Sequence, residues 1–409
     1  MAALSFAAVS IGQLAPESGT VVTVPLHQAE AHPSYPPRVS VSADGRYVAF
    51  VAAARLVPED TNDRDDIYVL DRESGAVTLE SQEATPVAAD RPVISVMGRV
   101  VVYRTGSEVL MIRDRATGRV RPLQRGREPP DGSSRDPSIT PDGRYVAFAS
   151  SATNLTEGPD ANGATEDVYV ADAASMTFRR IASSGFSPAI SDDGRFVAFS
   201  SPAPLAAAAN GSRARINTSL YDLQTGVTAD VSVSAGSGRP DGSSYSPAIS
   251  GDGRYVAFVS DATNLIRRRD DNKFPDVYVR DTIAKVTELV SRTPSGRAGN
   301  GASRHPALSA DGRIVIFQSD ASDLTCGGRC GLRDINLVAD IFRHDRGTGV
   351  TELISRGRTP WMEPSVGPAA DRTGSVIAFA SRHPLDRADD RHDYDLFVWA
   401  RQADRDRAR

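Results

Sequence analysis

Apolar and polar positions alternate along short stretches of this chain, and the stretches recur. Five read almost alike: VSVSADGRYVAF (Val39–Phe50), PSITPDGRYVAF (Pro137–Phe148), PAISDDGRFVAF (Pro188–Phe199), PAISGDGRYVAF (Pro247–Phe258) and PALSADGRIVIF (Pro306–Phe317). Two looser copies are PVISVMGRVVVY (Pro92–Tyr103) and a stretch ending in TGSVIAF (Thr373–Phe379). The shared glycines Gly45, Gly98, Gly143, Gly194, Gly253, Gly312 and Gly374 follow one another at about 55 residues per unit, slightly above the usual propeller repeat.

Each unit predicts four short strands. The P-x-I-S segment is the first, and Asp-Gly supplies a tight turn because glycine accepts positive φ. R-Y-V-A-F alternates as a half-buried strand does. The third strand is of the D-V-Y-V type: Asp66–Leu70, Asp167–Ala171, Asp276–Arg280, Asp340–Arg343 and Asp395–Trp399. The fourth follows a further turn: Gly75–Ser81, Gly226–Ser232, Val286–Ser291 and Gly349–Ser355. Four antiparallel strands per unit without helices between them predict an all-β, seven-bladed propeller. The seventh copy stops after its third strand, near Gln402, and the first is preceded by an unattached strand, Gly19–Leu26. Pairing these two pieces closes the ring and removes both edges. The domain expected is 19–402, with 1–18 a leader or disordered segment and 403–409 a disordered tail. The alternative is six blades, with copy two and its short Thr105–Ser107 connection a hairpin outside the ring.

Composition changes this picture little. The 409 residues are 40% hydrophobic and 24% charged, with 47 basic against 52 acidic side chains and a net charge of -5, which argues against nucleic acid as a partner. Lys273 and Lys285 are the only lysines, so the basic residues are nearly all arginine, read here as genome bias. No stretch approaches the ~20 apolar residues of a membrane helix, so membrane insertion is not expected. Met1–Ile11 is small and apolar but lacks the basic start of an export signal. Cys326 and Cys330 share one glycine-rich loop; a loop-stapling disulfide would suit an oxidising compartment, and two free thiols are the alternative. A secreted or periplasmic monomer is the expectation.

The P-x-x-S-x-D-G-R-x-V-A-F-x-S pattern followed by D-V-Y-V-x-D resembles the TolB-like propeller family, whose repeats are distant cousins of the WD type. The resemblance covers about Thr20 to Gln402. It implies the fold, and it implies little about activity, since the family includes periplasmic partner-binding proteins and the propeller halves of prolyl oligopeptidases. Seven units exceed the six blades usual for TolB itself.

Function in a propeller sits at one mouth of the channel, where the blades' inner strands converge. The residues just before the inner-strand proline, or its equivalent, are Arg38, Arg91, Asp136, Ser187, Ser246, His305 and Glu363. This mixed-charge ring suits a protein or small polar ligand; equally, it can serve only to solvate a rim. Trp361, beside Glu363, is placed to stack on a ligand or to plug the channel. The segment HQAEAH (His27–His32) precedes blade one, so His32, His305 and Glu363 are candidates to hold a transition metal. Asp60, Asn62 and Asp66, with their counterparts Asp160, Asn162 and Asp167 and Asp270, Asn272 and Asp276, space oxygens as calcium loops do, although Asp and Asn are also ordinary turn residues. Standard catalytic signatures are absent: Gly185–Ala189 lies on an inner strand, not at a nucleophile elbow.

The reading adopted is a non-catalytic binding scaffold with no cofactor expected, engaging a protein or small polar ligand through Arg38, Arg91, Asp136, His305, Glu363, Trp361 and His32. The alternative is a metal-assisted lyase, hydrolase or isomerase at the same mouth, and a third is a structural domain of a larger exported assembly.

Overall fold

A computed structural model describes residues 10–13, 20–26, 38–62, 64–81, 90–158, 160–202, 215–236, 238–268, 270–325, 338–355, 364–382 and 394–401. Seven antiparallel sheets follow one another as blades. Blade three is typical: Ser134–Ile139 lies innermost, then Tyr145–Ser150, Asp167–Asp172 and Thr177–Ala182. Copy two forms a full blade, Asp90–Ile94, Val100–Arg104, Leu110–Asp114 and Arg119–Pro122, so the six-bladed alternative falls. Its Asp-Gly turn is replaced by a single 3-10 turn, Val96–Gly98, which still brings the two strands into register.

The ring closes as the chain ends predict. Thr20–Pro25 pairs antiparallel with Asp395–Ala400, the third strand of blade seven. One correction concerns the leader: Ser10–Gln13 is itself a strand and pairs with Thr20–Thr23, giving blade seven a fifth strand. The edge of Thr20–Pro25 offers unpaired backbone groups, and the preceding chain satisfies them.

The repeat's signature residues build the scaffold. In each of five blades an aromatic of the second strand stacks on one of the third, as in Phe50–Tyr68, Phe148–Tyr169 and Phe258–Tyr278, with centroids 5.7–6.0 Å apart. The arginine of D-G-R reaches the aspartate that ends the third strand: Arg46–Asp71, Arg195–Asp222, Arg254–Asp281 and Arg313–Asp345 lie within 2.7–2.8 Å, and Arg144–Asp172 at 3.0 Å. The serine before the turn accepts the amide five residues on, as Ser42 does from Tyr47 at 2.9 Å. These motifs are thus consumed in folding, and function must lie where the copies differ.

Candidate functional site: the channel mouth

At one end of the inner strands every full-length copy carries a bulge. The ladder between the first two strands slips between Arg135 and Ser138, Phe186 and Ala189, Tyr245 and Ala248, Arg304 and Ala307, and Val366 and Ala369. The residue at the bulge takes a left-handed backbone: Asp136 (φ 52), Ser187 (49), Ser246 (53), His305 (53) and Gly367 (62). A non-glycine residue there is strained by about 1–3 kcal/mol, and a following proline restricts it further. The bulge re-aims the side chain out of the pleat and into the channel. The result is a cavity of about 270 Å³, lined by Arg38, Asp136, Ser187, Ser246, His305 and Gly367 and by a collar of prolines 92, 137, 188, 247, 306 and 368.

The structure therefore brings Arg38, Asp136, Ser187, Ser246 and His305 together as the sequence expects. Arg91 keeps its place in the inner strand of blade two, ahead of the lining Pro92 and Val93; its side chain lies outside the described part. The seventh place is a correction, because it belongs to Gly367 and not to Glu363. Blade seven has two prolines, Pro364 and Pro368, and the sequence register was set on the wrong one. In the other copies the proline or its equivalent stands six residues before the turn glycine, which selects Pro368 before Gly374. Glu363, Trp361 and His32 lie outside the described residues, as do Cys326 and Cys330.

Charge is distributed unevenly around the mouth. Asp136 receives Arg135 Nη1 at 2.7 Å and the Ser187 hydroxyl at 3.4 Å. Arg135 also forks onto Glu166 and lies 5.8 Å from the centroid of Phe186 in the next blade. Farther round, Arg304 Nη1 donates to the Tyr245 hydroxyl at 3.2 Å. Burial raises the Asp261 and Asp320 carboxyls, and Arg304 opposes that rise. His305 is exposed at the mouth, yet it is crowded by the surrounding blades. That desolvation, with repulsion from Arg38 and Arg304, pushes its imidazole down to about 4, so it is neutral at pH 7. Arg135, Arg304 and Tyr245 flank the bulges, and Glu166 precedes the third strand of blade three; only the fold brings them to the rim, so the proline count along the chain does not find them.

The opposite end of the same strands is closed. In five of the seven blade-to-blade steps the residue two places before the turn glycine bonds its counterpart in the next blade: Val96 N to Pro141 O at 2.7 Å, Asp192 N to Gly251 O at 3.0 Å, Gly251 N to Ala310 O at 2.9 Å, Ala310 N to Arg372 O at 2.7 Å, and Arg372 N to Ala43 O at 3.2 Å. Pro141 has no N–H, so the step from it to Asp192 has no donor.

The calcium-like loops are hydrogen-bonded turns. Asn272 Nδ2 donates to Asp276 Oδ2 at 2.6 Å, Ser291 to Asp276 Oδ1 at 2.5 Å, and the Tyr278 hydroxyl to Asp270 Oδ2 at 2.7 Å. In blade three Arg180 Nη1 sits between Asp160 (2.8 Å) and Asp167 (3.1 Å). Among the described residues no group of three or more His, Cys, Asp or Glu is placed to hold a metal ion.

Fold and mouth define the chain as a seven-bladed β-propeller with one polar, ring-lined entrance. No family model and no curated protein matches it in sequence. Among solved structures it is similar to an oligogalacturonate lyase in complex with manganese (15% identity, 98% of each chain, TM-score 0.60). It is also similar to a Mycobacterium tuberculosis puromycin-hydrolyzing peptidase (15%, 84% of this chain and 50% of that one, 0.53). TolB from Acinetobacter baumannii gives 13% identity over 92% of this chain and 86% of that one, with a TM-score of 0.41. Likeness at such identities is a likeness of fold, and one fold hosts many unrelated functions.

Proposed function

We propose that the protein is a non-catalytic scaffold that binds a small polar ligand in the channel mouth, in an exported setting. The observation that carries this reading is the convergence of Arg38, Asp136, Ser187, Ser246 and His305 on one cavity, four of them held in a left-handed backbone that costs stability and aims a polar group inward. The mouth does not fit a metal centre among its described residues. Among the described residues His305 is the one imidazole lining it, and the guanidiniums of Arg38 and Arg304 beside it oppose a divalent cation at the same place.

The test is a ligand-observed NMR screen of neutral, zwitterionic and anionic fragments against the wild-type protein and the Asp136→Ala and His305→Ala variants. Fragments that bind the wild type and are lost in either variant are the expected result. A screen in which no fragment distinguishes wild type from variants overturns the reading. So does a stoichiometric transition metal in the purified protein that disappears with His305→Ala, which would put the metal-assisted enzyme first.

A further inference from the structure

Blades three and five bury the same pair of carboxyls and treat them differently. In blade three Asp160 and Asp167 share the guanidinium of Arg180, at 2.8 and 3.1 Å. Arg180 stands opposite Tyr169 on the neighbouring strand; in blade five Leu289 holds that place, opposite Tyr278. Asp270 and Asp276 are buried, at 5% and 0% exposure, and among the described residues no arginine or lysine bonds either. Asn272 ties the two together, its backbone N–H donating to Asp270 Oδ1 at 3.2 Å and its side-chain amide to Asp276 Oδ2 at 2.6 Å. Two carboxylates without a cation do not both ionise cheaply in one buried place, so the pair keeps a proton above the ordinary carboxylate range. Burial, with Asp270 adding to it, raises the Asp276 carboxyl accordingly.

The pair sits at the seam between blades five and six. Asn272 also donates to Gly299 O at 2.8 Å, and Ser303 N donates to Pro275 O, the neighbour of Asp276, at 2.8 Å. Gly299 is wedged against blade six, where a Cβ would lie 2.7 Å from Leu324 and 3.0 Å from Ala321. Ser303 opens the inner strand that carries Arg304 and His305 to the mouth. The same backbone bond joins blades three and four, Gly185 N to Glu166 O at 2.8 Å, beside the arginine-bound Asp167. The groups that face the pair are Tyr278 on the Asp276 strand, Ser291 just past the fourth strand and Asp241 on the loop entering the blade. Across the seam stand Asp323, which accepts from Asn300 N at 2.9 Å, and then Arg304 and His305. His305, pushed down to about 4, stays neutral between pH 6 and 8.

We infer that Asp270 and Asp276 form a proton-held clasp on the seam of blades five and six: protonated, it keeps the segment 299–305 against blade five, and on losing its proton to water it lets the seam open and loosens the wall of the mouth that bears His305. The inference concerns the wall and not what the wall binds, so it goes beyond the reading of the mouth as a ligand site and does not depend on it. An opening that hydrates the pair releases its proton. It therefore grows easier as pH rises from the ordinary carboxylate range to about 8, by at most about tenfold per pH unit.

The experiment is hydrogen-exchange mass spectrometry of the full chain in EDTA, without ligand, at about pH 6 and about pH 8, with exchange times scaled for the intrinsic pH dependence of amide exchange. Scaled exchange of the segment 299–308 should rise at least about tenfold between the two conditions. The segment 184–190, at the seam where Arg180 neutralises the pair, should stay level. Asp276→Asn, which carries no titrating proton there, should abolish the rise. Equal rises in both segments, or none in 299–308, overturn the clasp. So does a rise that persists in Asp276→Asn, which would assign it to the rim carboxyls Asp261 and Asp320, also raised by burial. Should Asp276→Asn fail to fold, the comparison of the two segments in the wild type decides alone. Any of these failures leaves the mouth to the fragment screen described above.

Discussion

Arg372 of blade seven reaches Asp192 of blade four, Nη2 to Oδ2 at 2.5 Å, past the two blades that separate them at the closed end of the channel. The contact is an ion pair without well-aligned hydrogen-bond geometry at Oδ2. Burial raises the Asp192 carboxyl even though Arg372 opposes the rise. With the backbone girdle beneath it, this pair spans the channel at the end opposite Arg38 and His305. Arg372 also joins blade six to blade one through its own backbone, at the blade where the chain ends meet.

The pair passes over Gly251, where a Cβ would lie 2.1 Å from Asp192 Oδ2. Gly251→Ala should cost about 1–3 kcal/mol by overpacking. Adding Asp192→Ala should recover most of that loss. Denaturant melts of the single and double variants give the coupling directly, and simple additivity would show that the two positions do not meet.

Glu80 is buried against Arg113 (2.8 Å) and Arg115 (2.6 Å), which reach it from blade two. Glu80→Gln leaves two guanidiniums short of their counter-charge, with an expected cost of about 3–5 kcal/mol. Urea unfolding measures it. A cost below about 1 kcal/mol would mean that water replaces the carboxylate.

Blades three and five handle the same aromatic differently. The Tyr278 hydroxyl donates to the Asp270 carboxylate at 2.7 Å, whereas the Tyr169 hydroxyl donates to the neutral Ala152 carbonyl at 3.3 Å. Tyr278→Phe should therefore destabilise by about 1–3 kcal/mol, and Tyr169→Phe by less. Equal losses measured by thermal unfolding would refute the comparison.

Stability should fall on both sides of neutrality. On the acid side Asp71 and Asp281 are held down to about 2 by Arg46 and Arg254. Their contribution is complete above the ordinary carboxylate range and is lost as pH falls toward 2. On the alkaline side burial lifts the Asp276 carboxyl to about 8, with Asp270 adding to the rise. The folded state holds that proton more tightly than the unfolded chain does, so its contribution declines as pH rises from about 4 through 8. Asp276→Asn should flatten the thermal midpoint between about pH 6 and 9 while leaving the acid limb unchanged.

The repeat, the blade count and the ring closure were legible in the residues because they rest on local rules: Asp-Gly turns, alternation of period two and an unpaired strand at each end of the chain. The ring at the mouth was legible as far as the proline marked it. Arg38, Asp136, Ser187, Ser246 and His305 are found by counting from the inner-strand proline, or its equivalent, in each copy. Where blade seven offered two prolines, the count chose Glu363 over Gly367.

What the sequence by itself determined is the scaffold, since D-G-R, D-V-Y-V-x-D and the serine before the turn each close a bond within one blade. Only the tertiary structure decided what happens between blades. The mouth exists because Arg38 and His305, far apart in the chain, come to line one cavity when the ring closes. The floor exists because Arg372 and Asp192, 180 positions apart, stand on opposite walls of one channel. Neither relation has a local signal. Both follow from closing the seven blades into a ring, which brings distant segments within the few ångströms over which charge and hydrogen bonding act.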